Sequence, residues 1–163
     1  MGFGVSVRAH RNRGNAKGSR MNSALMFSAK SDDWSTPQDT FAALDAEFSF
    51  DFDPCPIGGG SGLTQDWLRR AFVNPPYSNV RGFLDKAMQE IDAGRTDVAV
   101  FLVPSRTDTK WWHEVVMTRA AEIRFIKGRL KFGGSKNSAP FPSTVIVFKR
   151  ADSNNSANVR GLP

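Results

Sequence analysis

Ala71-Phe72-Val73-Asn74-Pro75-Pro76-Tyr77-Ser78 is a short apolar run that closes on Asn-Pro-Pro-Tyr. A run of this kind reads as the end of a buried strand. Two successive prolines donate no ladder hydrogen bonds, so the strand stops there and the backbone beyond it is stiff. The strand mouth then holds one amide (Asn74), outward-facing carbonyls (Pro75, Pro76) and one aromatic plate (Tyr77). An amide oxygen and a proline carbonyl can accept the two N–H bonds of an amino group, and a ring can stack on the plane that carries it. An ordinary Pro-Pro turn with a surface tyrosine would contain the same four residues, so the rest of the chain has to separate the two readings.

The chain has 163 residues, 13 of them Phe and 4 Trp, enough for one domain with a sizeable core. No apolar run approaches membrane-spanning length, and the N-terminus has no signal-peptide pattern. One cysteine, Cys55, rules out an internal disulfide and fits a reducing cytoplasm. Two histidines without a Cys/His cluster argue against a transition-metal site. The charge is uneven. Arg8, Arg11, Arg13, Lys17, Arg20 and Lys30 give residues 1–30 the whole net charge of +6, and the body is neutral. Residues 1–30 read as a disordered basic leader that adds non-specific attraction to DNA. Met21 and Met26 are alternative starts that would make part of it non-native.

Thr36-Pro37-Gln38-Asp39 has the form of a helix start, with Thr36 as cap and Pro37 in the first turn. Phe48-Ser49-Phe50-Asp51-Phe52-Asp53 alternates strictly and predicts a strand with three Phe on one face. Asp53 ends that strand, and a Gly-rich loop containing Gly58, Gly59 and Gly60 follows. A carboxylate at a strand's carboxyl end before glycines suits a nucleoside cofactor, although a flexible surface loop looks the same. Asn79 to Arg95 predicts a helix with Val80, Phe83, Leu84, Ala87 and Ile91 on one stripe. Asp97 to Val103 predicts a strand covered on both faces. A helix follows from Thr107 or Asp108, then strands at Glu122–Ile126 and Ser143–Lys149 that could form an antiparallel edge. The tail 151–163 is Asn/Ser-rich and reads as disordered. His113, within that helix, reads as a surface or half-buried residue and not a catalyst. The alternation of strands and helices over residues 31–150 predicts an α/β domain with helices on both sheet faces.

Several motifs now line up in order: Asp32-Asp33-Trp34-Ser35-Thr36-Pro37, Phe52-Asp53-Pro54-Cys55, Gly62 to Trp67, Phe72 to Ser78, Val103 to Trp112 and Gly128 to Phe132. Together they resemble the short phage-type DNA N-6-adenine methyltransferases, over about Asp32 to Phe148. The resemblance implies an S-adenosylmethionine-dependent, Rossmann-like methyltransferase fold acting on double-stranded DNA, in a bacterial cytoplasm. It implies that Asn74 and the Pro75 carbonyl accept the N6 hydrogen bonds of a flipped adenine, Pro76 holds the backbone, and Tyr77 stacks on the base. It points to Thr36, Pro37, Asp53 and Gly58 to Gly60 for the cofactor, with Trp67 or Phe72 over the cofactor's adenine. Arg106, Arg129, Lys131 and Lys136 are the candidates for DNA phosphates. Asp53 and Asn74 are 21 positions apart, whereas two further βα units would need about 60 residues, so the sheet must be reduced. N4-cytosine methylation by the same motif, and a silent DNA-binding protein on this scaffold, remain alternatives.

Overall fold

The computed structural model describes residues 35–56, 59–60, 62–151 and 158–162. The basic leader (1–30), Asp32 to Trp34 and Gly58 lie outside the described residues. One sheet has the order β1-β2-β4-β3-β5. Its strands are β1 Arg70–Val73, β2 Val98–Pro104, β3 Glu122–Ile126, β4 Ser143–Lys149 and β5 Asn158–Leu162. β1 and β2 are parallel, β4 runs antiparallel between β2 and β3, and β5 is parallel to β3.

Helix α2, Val80–Asp92, makes the crossover that two adjacent parallel strands require. The stripe read from its period is the buried one: Val80, Phe83, Leu84, Ala87 and Ile91. Gly94, at φ 73°, closes it in the left-handed conformation that a residue without Cβ adopts cheaply. Every residue of β2 is buried, and its side chains divide by parity. Ala99, Phe101 and Val103 pack with α2, while Val98, Val100 and Leu102 pack with Phe41 and Leu44 of α1, Gln38–Phe48. Helices therefore cover both faces, as the apolar run of β2 demands. Each fully buried Val, Leu or Phe among them contributes roughly 1.5–3 kcal/mol. After β2, helical backbone from Lys110 passes through a π turn, Trp112–Val116, into α3, Met117–Arg119.

Four sequence expectations change. The strand over Phe48–Asp53 is reduced to one parallel bridge, Phe52 with Ala71. Phe48 still belongs to α1, Ser49 is its left-handed cap at φ 52°, and the N–H groups of Asp51 and Phe52 both donate to the Arg70 carbonyl. Two residues opposite one make a bulge, which shifts the alternation. Phe50 thus packs with Phe41 and Phe72, and Phe52 tilts against Trp67 in the other cluster. Thr36 is not the cap of α1. Pro37 is, with an extended ψ of 137° and its carbonyl accepting the Phe41 N–H at 2.9 Å. The antiparallel strand is not an edge but sits inside the sheet, where both of its backbone sides are paired. Residues 158–162, within the stretch read as a disordered tail, form β5.

Candidate active site

β1, β2, β3 and β5 all point one way, so their carboxyl ends and the start of β4 share one rim of the sheet. Asn74 to Tyr77, the loop after Pro104 and the loop between β3 and β4 all emerge there. The parallel bridge at Phe52 brings Asp53 to the same rim, since the Phe72 N–H donates to the Phe52 carbonyl at 3.0 Å. In an open sheet with helices on both faces, this rim is where ligands collect.

Asn74 is half-buried, and its Nδ2 donates to the Thr36 hydroxyl at 3.2 Å. Thr36 is itself 4% exposed, and the carbonyl of neighbouring Ser35 accepts the Gly133 N–H at 2.9 Å. The segment before α1 is thereby stitched to the β3–β4 loop and to the end of β1 at once. Pro75 is buried and Pro76 exposed. Tyr77 begins a short 3-10 turn, Tyr77–Asn79, that leads into α2. Its ring stands edge-on to Phe141 at 5.3 Å and to Phe132 at 6.4 Å, both from the β3–β4 loop. Burial holds its phenol protonated well above the usual range.

The half-buried Asp53 carboxyl is pushed up to about 6 by burial, against the Cys55 N–H bond that pulls it down. That bond measures 2.8 Å and is its one hydrogen bond among the described residues. The loop behind it folds back on itself. A Cβ on Gly62 would lie 1.9 Å from the Pro54 carbonyl oxygen, so only glycine fits. The Gly62 carbonyl accepts the Trp67 indole N–H at 2.6 Å. Gly59 has φ 86°, and a Cβ on Gly60 would press on the Pro56 ring. Trp67 and Phe72 are 2% and 1% exposed and sit on opposite faces of the sheet. Neither has a ring face open to a cofactor: Phe72, on β1, and Trp67, in the segment before β1, each fill a core cluster.

Behind the loop lies a buried carboxylate the sequence reading missed. Glu90, fully buried, accepts bonds from Lys86 (2.5 Å), Arg95 (2.6 Å) and the Trp67 N–H (3.1 Å). The Arg95 guanidinium first, and then Lys86 and the Trp67 N–H, outweigh desolvation and hold it down to about 2. Its only sequence signal was the i, i+4 spacing to Lys86.

Arg106, Arg129, Lys131 and Lys136 are exposed on loops at the site rim. Arg106 lies 3.7 Å from Asp108. Arg129, Lys131 and Lys136 have no ion pair among the described residues. His113 is exposed, with Nε2 2.8 Å from the Thr107 carbonyl. No group of three or more His, Cys, Asp or Glu that could hold a metal ion occurs among the described residues. None of the described helices is long and apolar enough to cross a membrane.

The family described as DNA N-6-adenine-methyltransferase (Dam) matches residues 23–159, most of the chain. The chain belongs to the Dam family. It is a DNA adenine methyltransferase, and a Dam enzyme's substrate is DNA. The match begins inside the basic leader and ends inside β5, so it spans every helix and strand of the fold except the last residues of β5. No curated protein and no solved structure matches the chain.

Proposed function

We propose that this Dam-family enzyme transfers the methyl group of S-adenosylmethionine to the N6 amino group of an adenine turned out of double-stranded DNA. Asn74 Oδ1 and the Pro75 carbonyl accept the two N6 hydrogens, Pro76 fixes their separation, and Tyr77 stacks on the base. The observation that carries this reading is the amide of Asn74, half-buried at a strand end with its NH2 engaged by Thr36. A planar amide so held presents its carbonyl on the other side.

The chemistry follows from the amine. The N6 lone pair is delocalised into the purine ring, so N6 is a weak nucleophile. Two acceptors drawing on its hydrogens favour a more tetrahedral nitrogen and stabilise the positive charge that grows as the C–N bond forms. Prolines on both sides of one peptide keep the Pro75 carbonyl and the backbone that carries Asn74 from reorganising, so positioning is the main contribution. In a duplex N6 is base-paired, which is why the base has to leave the stack. The edge-on contacts of Phe132 and Phe141 brace Tyr77 against that base.

S-adenosylmethionine, when bound, supplies an electrophilic methyl group on a sulfonium. The residues present fit it. Asp53 carries a carboxylate that burial disfavours and that regains stabilisation by accepting hydroxyl or ammonium hydrogens. Pro37, Gly59 and Gly60 offer backbone groups to the cofactor. Arg129, Lys131 and Arg106 meet DNA phosphates.

Labelled methyl transfer from S-adenosylmethionine to unmethylated duplex DNA, followed by nucleoside analysis, tests the reading. The expected product is N6-methyldeoxyadenosine. Label in N4-methyldeoxycytidine alone, or no label in DNA, overturns it.

A further inference from the structure

The hydrogen bond from Asn74 to Thr36 spans 38 positions of sequence and joins a half-buried amide to a buried hydroxyl at the site rim. A primary amide has two ends of similar shape and opposite function: one accepts and the other donates two hydrogens. Set the wrong way round, Asn74 would face the substrate amine with NH2, donor against donor. Nothing in the covalent structure of Asn74 prevents that half-turn about its terminal torsion. The prolines fix the backbone and leave this torsion alone.

We infer that Thr36 is a positioning residue of the methyl-transfer reaction, acting through Asn74. Its hydroxyl takes the NH2 end and thereby keeps Oδ1 toward the amine to be methylated. The inference rests on the clamp reading above and gives Thr36 a task different from holding the cofactor. Three features suit Thr36 to it. It is 4% exposed, so water does not compete for the bond. Pro37 caps α1, so the hydroxyl is not spent on the helix N-terminus. Ser35 is tied through its carbonyl to Gly133, so the segment that carries the hydroxyl is anchored on the β3–β4 loop as well.

The test compares Thr36→Val, which keeps the shape and removes the hydroxyl, with Thr36→Ser, which keeps the hydroxyl, and Asn74→Ala. Thr36→Val is expected to lower kcat roughly ten-fold, the worth of one neutral hydrogen bond, with KM for DNA and Kd for S-adenosylmethionine within about two-fold. Thr36→Ser is expected to restore kcat. In 15N-labelled protein without ligands, the Asn74 side-chain NH2 resonances should shift in Thr36→Val and return in Thr36→Ser. Unchanged NH2 resonances with an unchanged kcat overturn the inference, as does a loss confined to cofactor affinity. If Asn74→Ala is inactive while Thr36→Val is not, the positioning role alone falls. If Asn74→Ala retains turnover, the clamp reading falls with it.

Discussion

The two halves of the site are built differently. The half proposed to face the amine, Asn74 to Tyr77, grows directly out of β1, which is paired along its length to β2 and backed by both core clusters. The half proposed to face the methyl donor hangs from one bridge at Phe52, a bulge, and a loop pinned by the Trp67 indole. The contrast matches the tasks. Acceptors for a developing charge must be in place before the reaction, whereas groups that hold a ligand by its hydroxyls can settle as it binds.

The largest effect should come from the support of the weaker half. Glu90→Ala removes the partner of the nearly buried Lys86 and of the Trp67 N–H. A loss of about 3–5 kcal/mol in denaturant unfolding is expected, with Gly62 to Trp67 protected least in hydrogen exchange. Because Glu90 is held down to about 2, its contribution is complete above the ordinary carboxylate range and disappears as pH falls from about 4.5 through 2. Equal loss of protection along β1 would break the distinction between the halves.

Asp53 comes next. Its carboxyl is held up at about 6, so the folded state binds more protons than the unfolded chain between about 4 and 6. The stabilisation is therefore greatest at low pH and is lost as pH rises through about 6. Binding of S-adenosylmethionine should run the opposite way, tightening through the same window as the carboxylate ionises. Asp53→Asn should weaken calorimetric binding by roughly ten- to a hundred-fold, the size of a bond to a charged group, and flatten its pH dependence. A variant that binds as tightly as the parent at pH 7 would remove Asp53 from the donor half.

The smallest effects belong to the rim. Arg129→Ala and Lys131→Ala should each weaken DNA binding with little regard to sequence and lower the salt slope by about one. An unchanged slope would mean that the phosphates run elsewhere.

Much of this was legible in the chain itself. The stripe of α2 and the unbroken apolar run of β2 follow from period and burial, and Asn74-Pro75-Pro76-Tyr77 stands out because prolines after a strand leave few conformations. Other parts depended on contacts that periodicity does not carry. The apolar Ser143–Lys149 run looks alike at an edge or in the interior and in either direction, so the place of β4 was hidden. Phe48 to Asp53 alternates in sequence, but the left-handed Ser49 and the bulge opposite Arg70 undo the alternation. Thr36 has a hydroxyl fit for two tasks, and only the long-range approach of Asn74 selects one. Phe132 and Phe141 reach Tyr77 from more than fifty positions away.

The central claim is that the Asn74 amide acts on the reacting nitrogen. Single-turnover methyl transfer by Asn74→Ala, at saturating S-adenosylmethionine and DNA, tests it most directly. The account predicts a rate lower by roughly two to three powers of ten, the range for loss of one preorganised donor or acceptor, with the thermal unfolding midpoint close to the parent's. A rate within a few-fold of the parent's in a folded variant would contradict it.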